Sequence, residues 1–230
     1  MGFNKTLEKR ISIKKLDKEE ALTAEEKAKY EKYFRHFDKD KSGDIDVVEL
    51  GKVLKHCGYN FDKIPGAVEW IVSLVDLDGS KTFSEGEFIY FIGNVVKMKK
   101  LFKKADADKS ATVDKQELVT ILKKANYLFD EKQVATLMPL VDKDSSGELN
   151  MEEWLILTIF LRFCKIQFLL ADVDGSEELT FKEVLGHLPA LGLAPDPELA
   201  TKLMQKLDTD NSGALSYEEF TLLAAMLKLQ

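Results

Sequence analysis

The sequence predicts an all-α fold of six helix–loop–helix units in three pairs, joined by two continuous shared helices, with short β-contacts between paired loops. Three observations carry this. A twelve-residue acidic register recurs six times, at residues 38–49, 76–87, 106–117, 142–153, 172–183 and 208–219. The eighth residue of every copy is apolar: Ile45, Phe83, Val113, Leu149, Leu179 and Leu215. The lengths between copies alternate, running 26, 18, 24, 18 and 24 residues. A connector of 24–26 holds an outgoing helix, a turn and an incoming helix, and Gly58, Pro65, Pro189 and Pro195 punctuate those stretches. A connector of 18 has no room for a turn and reads as about 27 Å of unbroken helix. The copies therefore pair as first with second, third with fourth and fifth with sixth, through their position-8 residues. The expected organisation is a basic tail at 1–22 followed by pairs at 23–96, 97–162 and 163–230.

The first copy places side-chain oxygens of Asp38, Asp40, Ser42 and Asp46 at positions 1, 3, 5 and 9, the backbone carbonyl of Asp44 at position 7 and Glu49 at position 12. A hard divalent cation of calcium's size takes six to eight oxygens at roughly 2.3–2.6 Å, and a chain coiling once around it offers one at about every second residue. Glu49 then closes the shell with both oxygens from the first turn of the next helix. The second copy supplies Asp76, Asp78, Ser80, Thr82, Ser84 and Glu87, and the third Asp106, Asp108, Ser110, Thr112, Asp114 and Glu117. The fourth supplies Asp142, Asp144, Ser146, Glu148, Asn150 and Glu153, the fifth Asp172, Asp174, Ser176, Glu178, Thr180 and Glu183, and the sixth Asp208, Asp210, Ser212, Ala214, Ser216 and Glu219. Six sites for Ca2+ follow.

This register resembles that of the EF-hand superfamily, and Leu22-Thr23-Ala24-Glu25-Glu26 running to Phe34, Phe37 and Asp38 resembles the opening of calmodulin. The resemblance covers about residues 22–230 and implies calcium binding by hands that work in pairs. Long helices serving two hands at once are similar to those of penta-EF-hand proteins. The even number of hands leaves none unpaired, so a monomer is expected. In such loops position 6 takes a positive φ, which Gly adopts freely and other residues at roughly 1–2 kcal/mol. Gly43, Gly147 and Gly213 hold it in the first, fourth and sixth loops, while Lys81, Ala111 and Glu177 hold it in the others. Each pair is thus expected to contain one relaxed and one strained loop.

Charge and composition exclude several classes. Lys and Arg total 33 against 40 Asp and Glu, a net charge of −7, which argues against nucleic acid as a partner. Half the acidic residues are candidate ligands, and six bound divalent ions would carry the net charge to about +5, favouring an anionic membrane surface in the calcium-bound state. Residues 1–20 are charged and lack the apolar stretch of a secretory signal, and the sequence ends Leu227-Lys228-Leu229-Gln230 rather than in a retention tetrapeptide. A cytoplasmic protein is expected, with peripheral membrane contact through the basic lead-in and a Met1-Gly2 start that loosely fits N-myristoylation.

Cys57 and Cys164 have no ligand spacing and read as reduced thiols; His36, His56 and His187 have no ligand partner at the right interval. Thr23 and Glu26 form a capping box for the first helix, whose Tyr30, Tyr33, Phe34 and Phe37 read as core. The shared helix at 88–105 is studded with Lys97, Lys99, Lys100, Lys103 and Lys104, whereas 154–171 is apolar but for a stripe of Thr158, Arg162 and Lys165. We read the latter as a buried strut, not a membrane span, because both ends run into acidic loops. Asp172-Val173-Asp174-Gly175-Ser176 superficially fits a phosphatase nucleophile loop, but a helix precedes it where that chemistry needs a strand. No phosphate-cradling glycine loop or nucleophile elbow occurs, so the sequence points to no catalytic residue and no enzyme. Two functions fit: a calcium sensor that exposes a groove to a target protein helix, or a calcium buffer that opens little. With 14 Phe against 6 Met, the composition favours a sensor with a dedicated partner, or a buffer, over a promiscuous sensor.

Overall fold

The computed structural model describes residues 22–76, 80–125, 127–191 and 197–228; the basic lead-in with Gly2 lies outside them. Among the described residues the α-helices are α1 (Ala24–Phe37), α2 (Val47–His56), α3 (Ala67–Val75), α4 (Glu85–Ala105), α5 (Lys115–Lys124), α6 (Glu131–Val141), α7 (Met151–Ala171), α8 (Phe181–His187), α9 (Pro197–Leu207) and α10 (Tyr217–Lys228). Every acidic loop lies between two of them. The two short connectors are indeed unbroken helix, since α4 and α7 each run for 21 residues.

Each loop folds back on its partner as the position-8 pattern requires. Strand β1 (Asp44–Ile45) pairs antiparallel with β2 (Phe83–Ser84), and β3 (Leu179–Thr180) with β4 (Ala214–Leu215), setting Ile45 opposite Phe83 and Leu179 opposite Leu215. Between them in sequence, Val113 and Leu149 exchange backbone hydrogen bonds of 2.8 and 2.9 Å. All six side chains are at most 1% exposed, so each contributes about 1.5–3 kcal/mol of apolar burial at the contact that joins two loops.

By its contacts the chain divides into two compact units, one comprising Met1–Thr112 with Asn150–Ile159, the other Val113–Leu149 with Phe160–Gln230. In the first, Thr23 caps α1 by the expected box, and α1 lies along α4 with Phe34 edge-on to Phe88 at 5.5 Å. Trp154, at the start of α7, meets Phe102 at 6.1 Å, and its indole N–H donates to the Met98 carbonyl at 3.0 Å. In the second unit α10 packs on α6. Its Tyr217 sits among Tyr127, Phe129 and Phe168, and the Tyr217 hydroxyl donates to the Leu161 carbonyl at 2.7 Å. Burial holds the Tyr217 phenol well above its usual range, so it stays a donor.

One contact occurs in both units. The turn joining the first two hands, Tyr59-Asn60-Phe61-Asp62, donates its Asn60 N–H to Glu152 Oε1 at 2.8 Å. The turn joining the third and fourth, Tyr127-Leu128-Phe129-Asp130, donates its Leu128 N–H to Glu218 Oε1 at 2.8 Å. Glu152 and Glu218 occupy position 11 of the fourth and sixth loops, so an outgoing helix is fastened to the turn of an earlier pair each time. Helix α7 is long and apolar enough to cross a membrane by length and composition, but 67% of its apolar window is buried inside the fold. Thr158, Arg162 and Lys165 do form its half-buried stripe, with Ile166 and Leu169 beside them. Burial is even more complete in α10, which the sequence did not single out.

Candidate metal centres

The loops are built by their own hydrogen bonds. The position-1 aspartate turns its oxygens inward, each accepting a backbone N–H: Asp38 takes Ser42 and Gly43, Asp142 takes Ser146 and Gly147, and Asp208 takes Ser212 and Gly213, at 2.9–3.2 Å. Position 5 donates its hydroxyl to the position-7 carbonyl in all six loops, from Ser42 to Asp44 (3.0 Å) through Ser212 to Ala214 (3.2 Å). Two intended ligands thus point to the same place. The position-3 carboxyls of Asp40, Asp108 and Asp210 are held below the usual range chiefly by the N–H of the position-5 serine, and those of Asp144 and Asp174 chiefly by its hydroxyl. All five therefore stay ionised, as a hard cation requires.

Position 12 has a role that the ligand reading missed. Asp46, Ser84, Asp114 and Thr180, at position 9, are the N-cap residues of the outgoing helices. Glu49, Glu87, Glu117 and Glu183 are the reciprocal partners in four capping boxes. Asn150 with Glu153 and Ser216 with Glu219 make the same exchange. The signal was visible as Ser, Thr, Asp or Asn three residues before Glu. Ligand and helix start share one side chain.

In four loops the carboxylates of positions 1, 3 and 12 each bring an oxygen within 4.8 Å of the others: Asp38, Asp40 and Glu49; Asp106, Asp108 and Glu117; Asp142, Asp144 and Glu153; Asp172, Asp174 and Glu183. In the second loop Asp78 lies outside the described residues. In the sixth, Asp208, Asp210 and Glu219 do not form such a group. There Thr209, the only hydroxyl residue at position 2 of any loop, holds Glu219 Oε1 with both its N–H and its Oγ1 at 3.0 Å, while Ser216 holds Oε2. Glu49, Glu153 and Glu219 are 6%, 1% and 6% exposed, whereas Glu87, Glu117 and Glu183 are half-buried.

The expected division by strain needs correction. Position 6 does take a positive φ in every loop, but so does position 4 wherever it is described: Lys41, Lys109, Ser145, Gly175 and Asn211. The fifth loop, with Glu177 at φ 65° on position 6, has moved its glycine to position 4, where Gly175 has φ 74°. It carries one strained residue, as the first, fourth and sixth loops do. The third loop carries two, Lys109 at 64° and Ala111 at 69°. The second loop carries Lys81 at 63° on position 6; among the described residues strain is concentrated in the third loop, not spread over one loop of each pair.

A calcium ion fits these residues: the donors are all hard oxygens, and in the third loop, where Asp106 groups with Asp108 and Glu117, the buried Asp106 Oδ1 has no hydrogen-bond partner. Acidic loops of this construction between paired helices define a divalent-cation-binding helix–loop–helix protein.

The EF-hand domain profile matches residues 29–58, and an EF hand profile matches 98–122 and 199–224. The chain is 32% identical over 133 residues to Calcium-binding protein 2 of Dictyostelium discoideum, covering 53% of this chain and 78% of that one. The chain belongs to the EF-hand family of calcium-binding proteins. It is also 29% identical over 164 residues to Mitochondrial substrate carrier family protein C of the same organism, covering 69% of this chain but only 34% of that relative's length. Among solved structures, a homolog of programmed cell death 6 protein from Leishmania major Friedlin shares the fold, with a TM-score of 0.53, 24% identity and coverage of 69% of this chain and 87% of that one.

Proposed function

We propose that this chain is an intracellular calcium sensor that binds Ca2+ at up to six loops, through the position 1, 3, 5, 7, 9 and 12 residues named above, and acts on a dedicated target helix as a monomer without enzymatic activity of its own. One observation carries the sensing part. Glu153 and Glu219 are ligands in this reading, and the residues immediately before them, Glu152 and Glu218, fasten α7 and α10 to the turns at Asn60 and Leu128. Drawing the position-12 carboxylate onto an ion rotates the first turn of the same helix. The fastening glutamate moves with it, so ion occupancy is coupled to how α7 and α10 dock. The free thiols Cys57 and Cys164 suit a reducing compartment.

The same fastening supports a second reading. Helices α7 and α10 already cover apolar surface of earlier hands, which favours a buffer that fills with little opening. Calcium titration separates the two, followed by a hydrophobic dye and by the emission of Trp154, which adjoins Glu153 and packs on Phe102. A sensor gives a large rise in dye binding together with a shift in Trp154 emission. Saturation of the sites with neither signal assigns the chain as a buffer and removes the sensor reading.

A further inference from the structure

The first unit contains a cavity of about 300 Å³ that the metal sites do not use. Lys29 and Tyr33 of α1 form one wall, Lys99, Lys100 and Lys103 of α4 the other, with Tyr59 and the end of α2 between them. Among the described residues no aspartate or glutamate lines it, in a chain whose net charge is −7. Lys99 has a structural duty: its Nζ donates to the Cys57 carbonyl at 2.6 Å, closing the C-terminal end of α2, and a side chain at Gly58 would collide with it at 2.7 Å. It keeps two further N–H bonds and lies 5.4 Å from the Tyr59 ring centre. Lys29 lies 5.7 Å from that of Tyr33. Two carboxylates lie nearby: Glu152, which accepts from the Asn60 N–H and acts on the Tyr59 phenol, and Glu26, held below its usual range first by the Thr23 N–H and hydroxyl and to a smaller degree by Lys100 and Lys29. Glu26 is already committed to capping α1.

Four ammonium groups around a concave site with aromatic and Val95–Val96 walls match an anion that is both compact and multiply charged. Lysine serves phosphate as a point charge, without the planar pairing that arginine gives a carboxylate. The volume is at the lower end of small-ligand sites and too small for a helix or an extended peptide. We propose that this cavity binds a small organic polyphosphate, a ring bearing adjacent phosphate monoesters, whether as a soluble molecule or as the headgroup of a membrane lipid. The inference does not depend on the calcium reading, and its test is run in EGTA.

The full chain is titrated calorimetrically with inositol 1,4,5-trisphosphate, and floated with vesicles containing either phosphatidylinositol 4,5-bisphosphate or phosphatidylserine at matched charge. Saturable binding of the soluble probe is expected, with a loss of roughly tenfold or more in Lys29→Ala and in Lys100→Ala/Lys103→Ala, from opposite walls. Lys123→Ala/Lys124→Ala, on the exposed end of α5, should bind as the parent does, and circular dichroism confirms that all three variants fold. Selective flotation with the bisphosphate vesicles assigns the headgroup as a source; binding of the soluble probe alone assigns a soluble ligand. No saturable binding of the probe overturns the proposal. So does an equal loss in the α5 variant, or flotation that follows total lipid charge alone.

Discussion

The third and fourth loops are partners in one pair, joined through Val113 and Leu149, and their ligand sequences are nearly alike, yet they are prepared for a cation very differently. In the fourth, Asp142 has both oxygens satisfied by backbone N–H groups, Gly147 takes the second positive φ at 79°, and Glu153 is 1% exposed. In the third, Asp106 Oδ1 is buried without a partner, Lys109 and Ala111 both take positive φ, and Glu117 is half-buried. The difference shows that preorganisation of a loop is summed over positions 4 and 6 and over the bonds of position 1, rather than read from the position-6 glycine alone. The fourth loop should fill first and the third follow through the shared bridge.

Position 12 provides the sharpest test. Glu153→Gln should lower affinity at the fourth loop by roughly 10- to 100-fold, the worth of a hydrogen-bonded charge, and weaken the third loop as well. Gln still completes a capping box, so helicity should not change. Glu117→Gln should leave the fourth loop binding normally in calorimetric titration; the reverse pattern would invert the order of filling.

Uncoupling the pair comes next. Leu149→Ala empties a site that is 0% exposed and should cost about 2–5 kcal/mol in denaturant unfolding. It should also make the two loops titrate independently. Persistent cooperativity in that variant would show that the coupling runs elsewhere. Gly147→Ala forces a φ of 79° on a side chain, at about 1–2 kcal/mol, and should bring the fourth loop down toward the third by up to roughly tenfold. Ala111→Gly should raise the third loop by a few-fold, about 0.5–1 kcal/mol, because the gain in the bound loop is partly offset by a freer unfolded chain. An unchanged affinity there would mean that the orphaned Asp106 oxygen, and not strain, separates the loops.

Acid should not separate them. Asp108 is held below the usual carboxylate range chiefly by the Ser110 N–H, and Asp144 by the Ser146 hydroxyl and N–H. A depressed carboxyl keeps its ionised form above that lowered pKa and loses it only as the pH falls through it, so these two carboxyls should stay available to calcium down to below the ordinary carboxylate range and both loops should release it together. Release of the third loop alone at higher pH, seen in calcium-electrode titrations, would mean that its position-3 carboxylate is not the one that limits it.

The repeat was legible because ligand spacing and the apolar position 8 are short-range patterns. An oxygen every second residue and a buried residue between them belong to one turn of chain, and each of Ile45, Phe83, Val113, Leu149, Leu179 and Leu215 lies where its spacing requires. The capping boxes were equally local and could have been found, since Asp46 and Glu49 already stand three residues apart. The positive φ at position 4 was harder to see, because Lys109, Ser145 and Asn211 give no glycine signal; backbone closure imposes that angle on whatever residue is there.

Helix and loop were therefore determined by the sequence itself, through interactions that span a dozen residues and repeat six times, and pairing followed from the apolar position 8 and the alternating connector lengths. Tertiary structure alone decided what each outgoing helix rests on. Glu152 meets a backbone 92 residues away and Glu218 one 90 residues away, and four lysines from two helices come to surround one cavity. No periodicity encodes such meetings, since they depend on how apolar faces distant in the chain are buried against each other, and burial is satisfied by any partner of the right shape.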